Sequence, residues 1–270
     1  MSALPRRSAA RKLTVAALAA MTMGVALTAP AGAGAVTTRF SPAVHGFHFT
    51  NRFNARVALR FPAPLGKRTI SLGNFNYGLC GGMIYTAFDY FLAGKAIPPD
   101  TTEPRLGSPL YNYIFRRQLD TFTSSTLGEF ATAPFRSDTD LTGRSRRAFN
   151  DVIRRTLDRG RPVPLGLIKT KGFDNLLFGN HQVLAIGYST RPIIITTKTC
   201  FLGICRTKSR RDNEPIIAIY DPNYPNTITY IQTNHNVETY DQAGRNSIRE
   251  HARVRGYFPT AYKIASVALP

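Results

Sequence analysis

Two periodicities divide this chain. Before residue 160 the apolar residues recur at helical spacing, and after it they come in short β-branched runs bounded by turn residues. Helices gathered ahead of strands specify an α+β architecture with an antiparallel sheet, since parallel strands would need helices threaded between them. Each half supplies one reactive side chain. Cys80 opens a helical run, and His181 opens a strand 101 residues later.

In the helical half, Met83, Ile84, Ala87, Phe88, Phe91 and Leu92 mark a helix from Cys80 to about Ala93, ended by Gly94. Ser108-Pro109 supplies the serine cap and first-turn proline of a second helix, with Leu110, Tyr113, Ile114 and Phe115 as an apolar face continuing toward Leu119. Residues 123 to 141 are rich in Ser and Thr and are expected as a loop. A third helix is expected from about Arg144 to Asp158. It would bury Phe149, Val152, Ile153 and Leu157, leave Arg146, Arg147, Arg154 and Arg155 solvated, and stop at Gly160. Strands are expected at Pro162 to Ile168, His181 to Tyr188, Ile193 to Thr197, Pro215 to Tyr220, Thr227 to Gln232 and near Tyr257 to Val267. Ahead of all these, Val36 to Gly73 lacks long periodicity, which predicts extended chain wrapping the body and a short strand at Arg56 to Phe61.

Residues 1–35 have the pattern of a cleaved export signal. Arg6, Arg7, Arg11 and Lys12 precede an uncharged apolar stretch from Leu13 to Ala29, and Ala31-Gly32-Ala33 and Ala33-Gly34-Ala35 offer small-residue cleavage sites. A retained membrane anchor is the competing reading, since the stretch falls only slightly short of the roughly 18 to 20 apolar residues that span a bilayer. The small-residue sites favour cleavage. Arg6-Arg7 fits a twin-arginine signal poorly, because Ser8, Ala9 and Ala10 follow it. Residues 36–270 are then expected as one secreted domain, with a single core or two closely packed lobes, large enough to be stable without disulfide support. Loss of the four basic residues of the signal lowers the formal charge from +19 to about +15. Such a charge suits an anionic surface, whether cell wall, acidic lipid or acidic protein, although a solvated basic exterior explains it equally. No motif for a specific nucleic acid accompanies it.

Three cysteines in an exported chain leave one unpaired. Cys200 and Cys205 flank Gly203 at a spacing that closes a small loop, which makes them the expected disulfide. They lack a second nearby pair of ligands and His45 and His48 lack a third, so neither pair is expected to hold a metal, and no cofactor is expected. Cys80 stays free. A free thiol in an oxidising compartment is a liability unless it is buried or used. The glycines of Gly78-Leu79-Cys80-Gly81-Gly82 favour access to its backbone over a filler role.

In cysteine catalysis the attacking species is the thiolate, and an ordinary thiol ionises only at about pH 8.5. A helix N-terminus, with its unpaired amides and positive dipole end, favours the thiolate at Cys80, and His181 is the base that takes the proton. A third group must hold the imidazole in one tautomer and stabilise it when charged. Asp221 is the candidate, because it ends the strand Ile216 to Tyr220 and Pro222 fixes the turn that follows. Its alternative role is an Asx-type turn at the strand end.

These segments resemble the papain-like cysteine peptidase superfamily, in its peptidase C39-like branch more than in papain itself. The resemblance covers mainly Asn74 to Gly94, Asp158 to Tyr188 and Ile216 to Pro225. Gly78 to Gly81 is similar to the Gly-x-Cys-Gly segment that opens the family's central helix. His181 to Tyr188 is similar to its base-bearing strand ending Gly-Tyr, and Asp221-Pro222 to the turn carrying its third residue. The resemblance implies a papain-like fold in which the cysteine-bearing helix packs on an antiparallel sheet bearing the histidine. It further implies cleavage of amide bonds in a peptide or protein substrate, with Cys80 as nucleophile, His181 as base then acid, and Asp221 as orienter.

The family's oxyanion-hole glutamine stands several residues before the cysteine, where this chain has Asn74 and Asn76. Either amide would donate to the oxyanion alongside the Cys80 backbone N–H. The chain departs from the family in lacking tryptophan, with Gly81 in place of the aromatic that follows the papain cysteine. It departs also in a basic, cysteine-bearing insert from about Arg191 to Asn213. The papain-like fold hosts transglutaminases, deamidases, acyltransferases and inactive binding domains. The alternatives are therefore a cell-wall amidase, an acyl or glutamyl transferase, or a catalytically inactive binding or toxin-associated domain.

Overall fold

Seven strands hydrogen-bond into one antiparallel sheet among the residues that the computed structural model describes, namely 35–53, 55–56, 59–62, 69–72, 76–172, 179–232, 238–241, 254–265 and 268–270. The expected export segment lies outside the described residues except for Ala35. The first part of the chain holds β1 (Val36–Thr37), the short helix α1 (Pro42–His45), and then β2 (Ala55–Arg56), β3 (Leu59–Pro62), β4 (Thr69–Leu72) and β5 (Asn76–Tyr77). β2 pairs with β5 and β3 with β4, so the single strand expected at Arg56 to Phe61 is divided between two ribbons.

Helices α2 (Cys80–Leu92) and α3 (Pro109–Asp120) follow, the second capped by Ser108 Oγ, which accepts the Tyr111 N–H. They approach closely because Gly82 is bare, since a Cβ there would lie 2.1 Å from the Ile114 carbonyl oxygen. Deeper along the pair, Arg117 Nε meets Asp89 Oδ2 at 2.8 Å in a buried ion pair, and the Tyr113 and Tyr262 hydroxyls donate to the same carboxylate. Burial pushes the Asp89 carboxyl upward, while the Tyr262 hydroxyl and the Arg117 charge oppose the shift. A buried charge left without such partners would be strongly destabilising.

Residues 123 to 141 are not a loop. They hold α4 (Ser124–Thr132), a 3-10 turn at Ala133–Phe135 and the start of α5 (Asp138–Ala148). The hydroxyl-rich composition serves as capping: Thr123 Oγ1 accepts from the Thr126 N–H and Ser137 Oγ from the Asp140 N–H. α5 runs through a π-helical segment (Phe149–Ile153) into α6 (Arg154–Asp158), so the third helix begins earlier than expected. The wider π turn rotates its apolar face. Phe149, Ile153 and Leu157 are buried as expected, whereas Val152 is 44% exposed.

The main sheet contains β6 (Val163–Ile168), β7 (His181–Phe201), β8 (Ile204–Tyr220), β9 (Ile228–Gln232), β10 (Glu238–Asp241) and β11 (Gly256–Pro259), in the order β10-β9-β8-β7-β6-β11. β6 pairs with β7 as far as Ala185. Beyond the bulge at Ile186, β1 pairs with Gly187 and Tyr188 instead, and a Cβ on Gly187 would lie 2.6 Å from the Val36 carbonyl oxygen. Side-chain alternation splits the core between the two faces. Leu184, Ile186 and Tyr220 pack with Met83, Ile84 and Phe88 of α2, while Val183, Ala185, Ile217 and Ile219 pack with Phe149, Ile153 and Leu157. Coverage on both faces is why Val183 to Ile186 is apolar without a break. The molecule is α+β, with the Cys80 helix on one face of the sheet and the α5–α6 helix on the other.

Two strand expectations change. The strand at Ile193 to Thr197 is not separate, because β7 and β8 continue as one ladder to the pair Phe201 and Ile204, turning the basic insert into a two-stranded arm. Leu202 and Gly203 form its two-residue turn with φ of 46° and 79°, the positive values a type I′ hairpin requires. Cys200 and Cys205 face one another across it and form the expected disulfide, with Cα atoms 4.1 Å apart. The last strand stops at Pro259, where the chain leaves the sheet and Tyr262 packs on Tyr85 and Phe88 of α2. Among the described residues, no helix is long and apolar enough to cross a membrane.

Candidate active site

Helix α2 starts without a side-chain cap of its own, so its first amides find partners elsewhere in the fold. The Leu79 N–H donates to Asn51 Oδ1 at 2.7 Å, and the Gly82 N–H donates to Gln118 Oε1 at 2.9 Å. Around them the glycines are packed rather than open. A Cβ on Gly81 would lie 2.6 Å from Gln182 Nε2, and one on Gly78 would lie 2.4 Å from Asn51 Nδ2. The access expected of these glycines is therefore replaced by close packing at Gly81 and Gly82, both buried. Cys80 itself is partly exposed and carries a free thiol.

His181 is the first residue of β7, paired with Leu167, and is held against the start of α2. Its Nε2 lies 2.8 Å from Asp221 Oδ1, and the Cys80 side chain lies close enough to act on the ring's charge. Because Asp221 occupies Nε2, Nδ1 is the nitrogen left to face the sulfur. Asp221 follows the last residue of β8 directly, and the pairing of Tyr220 with Leu184 places it near the start of β7. Both side chains are buried.

Burial by itself lowers the tendency of the His181 ring to hold a second proton. The negative charges of Asp221 and Cys80 on either side outweigh it and push the ring from 6.5 up to about 10. The arrangement therefore favours the protonated ring at neutral pH.

Asp221 fills both roles that its sequence context allowed. While bonded to His181, its Oδ1 accepts the Asn223 N–H at 2.9 Å, which is the Asx-type closure of the Asp221-Pro222-Asn223 turn. The side chain of Asn223 approaches the ring as well, with Nδ2 3.4 Å from His181 Nε2.

Asn51 was invisible to sequence reasoning. It is an isolated amide in an aromatic-rich stretch, with no periodicity or motif to mark it. In the fold it joins the two halves of the site. Its Oδ1 accepts from Leu79, its Nδ2 donates to Asn223 Oδ1 at 3.2 Å, and its backbone N–H donates to the Pro222 carbonyl at 3.0 Å. Gln182 was missed too. It reaches the first turn of α2 beside Gly81 and donates to Thr121 Oγ1 at 3.0 Å.

Cys80, His181 and Asp221 are thus brought together. Asn74 lies outside the described residues, as does the side chain of Asn76. Cys200, near the end of β7, and Cys205, near the start of β8, sit at the tip of the arm, away from His181. His45 Nδ1 accepts the Ser41 N–H and His48 pairs with Asn226, and no group of three or more candidate metal ligands occurs among the described residues. No family model, no curated protein and no solved structure matches the chain.

Proposed function

We propose that the chain is an exported thiol hydrolase of papain-like, peptidase C39-like type, acting on amide bonds of a peptide or protein substrate. The observation that carries this reading is His181, bonded to Asp221, standing beside the Cys80 thiol at a helix N-terminus. With the ring protonated, its negative neighbour is a thiolate ready to attack. Sγ adds to the substrate carbonyl carbon, and the developing oxyanion would take the Cys80 backbone N–H, since the Leu79 and Gly82 amides already donate to Asn51 and Gln118. The imidazolium gives its proton to the departing amine as the C–N bond breaks, leaving a thioester on Cys80. The neutral ring then takes a proton from water, hydroxide attacks the thioester, and thiolate and imidazolium are restored. Asp221 keeps Nε2–H fixed throughout, so that Nδ1 always faces the sulfur.

Alkylation by iodoacetamide at about pH 6 tests the pair, where an ordinary thiol is almost wholly protonated. Fast labelling of Cys80 that slows at least tenfold in His181→Ala is the expected result. Equal and slow labelling of both proteins would remove the ion pair and the mechanism built on it.

A further inference from the structure

The disulfide-closed arm formed by β7 and β8 is used by nothing in the candidate site. From Thr196 to Arg211 its described side chains are exposed, and by ladder geometry it stands on the order of 25 Å clear of the body. An unsupported two-stranded hairpin is marginal in water, and this one is held at both ends. The disulfide closes its tip, while Arg146–Asp212 at 2.9 Å and Arg191–Glu214 at 2.7 Å anchor its base.

Apolar groups crown the tip. Phe201, Leu202 and Ile204 are 75%, 86% and 70% exposed. Leu202 holds a left-handed conformation that Asn, Asp or Gly adopts far more readily, so an apolar side chain is displayed where the turn itself disfavours it. Residues facing each other across an antiparallel pair share a side. Phe201 and Ile204 therefore share one face of the arm with Arg206, Lys208 and Arg210. Arg206 and Lys208 stand two and four residues behind Ile204, about 7 and 13 Å back along the strand. Below them Arg210 pairs with Asp212 at 3.3 Å in a groove lined also by Arg146, Arg147, Arg154 and Tyr188. Between residues 191 and 213 six basic residues face a single acid.

We infer that the arm docks on an anionic lipid surface, its Phe201-Leu202-Gly203-Ile204 tip entering the interfacial layer while Arg206 and Lys208 meet the headgroups. The dimensions agree, because interfacial segments sink about 5 to 10 Å to the headgroup and acyl boundary. Basic residues near such a membrane add binding strength in a salt-dependent way. Charge alone has another use here, since lysines and arginines on exposed strands discourage edge-to-edge pairing. That use leaves the three apolar residues at the tip unexplained. A soluble polyanion likewise gives no reason to expose them, whereas a lipid surface accounts for tip and flank together. This inference does not depend on the hydrolase reading.

Flotation of the full chain with vesicles tests it. The protein is expected to float with phosphatidylcholine vesicles containing phosphatidylglycerol, to stay behind with phosphatidylcholine alone, and to release as salt is raised. Phe201→Ser combined with Leu202→Ser, and separately Arg206→Gln combined with Lys208→Gln, should each weaken partitioning by about tenfold or more. All four positions are exposed, and one free thiol in denatured, unreduced protein checks that the disulfide is intact. Undiminished flotation of the tip variant would overturn the inference in favour of plain electrostatic adsorption. It would be overturned equally by binding to soluble polyphosphate as tight as to vesicles. A dimer of the free protein that the tip variant dissolves would assign the tip to a second copy of the chain instead.

Discussion

Asn51 Oδ1 accepts the backbone N–H of Leu79 at 2.7 Å, so a residue from the first part of the chain caps the helix that begins with Cys80. The same side chain donates to Asn223, two residues past Asp221. One amide therefore ties the start of the Cys80 helix to the turn that follows Asp221. Asn51→Ala leaves the Leu79 amide without its acceptor and should cost about 2 to 3 kcal/mol in urea unfolding. Cys80 alkylation at about pH 6 should slow in the folded protein as well. Unaltered labelling with lowered stability would confine Asn51 to a structural role.

His181 and Asp221 make stability depend on pH with a definite sign. The folded ring is raised from 6.5 to about 10, so the stabilisation is complete below about pH 6.5, declines across the interval, and is lost above about pH 10. Asp221→Asn removes the largest charge that raises it. The melting-temperature gap between wild type and this variant should be widest near pH 6 and narrow toward pH 10. A gap that does not vary with pH would mean that only the turn hydrogen bond is lost.

The two roles of Asp221 also order its substitutions. Asparagine still offers an oxygen to the His181 ring or to the Asn223 N–H, whereas alanine offers neither. Asp221→Ala should therefore cost more stability than Asp221→Asn, and turnover per folded molecule on a peptide substrate should fall by a large factor in both, least in Asp221→Asn. Unchanged turnover in both, measured against active-site-titrated protein, would take Asp221 out of the chemistry.

Two glycines of the same helical hairpin should respond very differently to one methyl group. At Gly82 the added Cβ would meet the Ile114 carbonyl at 2.1 Å, so α2 and α3 must separate. Gly82→Ala should cost at least about 3 kcal/mol or prevent folding. Gly94, with φ of 63° and open space around it, should lose only about 1 kcal/mol on Gly94→Ala. Chemical denaturation of both variants checks the contrast.

Local chemistry made much of this molecule legible in the sequence. Hydrophobic periodicity gave the α+β class, the start of α2 and the strand after His181, because burial of one face or both is written directly into residue order. The disulfide followed from an odd cysteine count and a spacing that only a tight turn closes. Where hydroxyl side chains cap helices, composition misleads: residues 123 to 141 look like a loop, yet Thr123 and Ser137 start helices there. The π turn at Phe149–Ile153 likewise turned Val152 outward, a rotation that no period of 3.6 anticipates. Only the tertiary structure decided what depends on residues distant in sequence meeting in space. Asn51 reaches across 28 residues to Leu79 and 172 to Asn223, and Asp221 becomes a partner of His181 because β7 and β8 pair in the register that sets Leu184 against Tyr220. Register and long-range hydrogen bonds arise from packing of the whole chain, and no single segment encodes them.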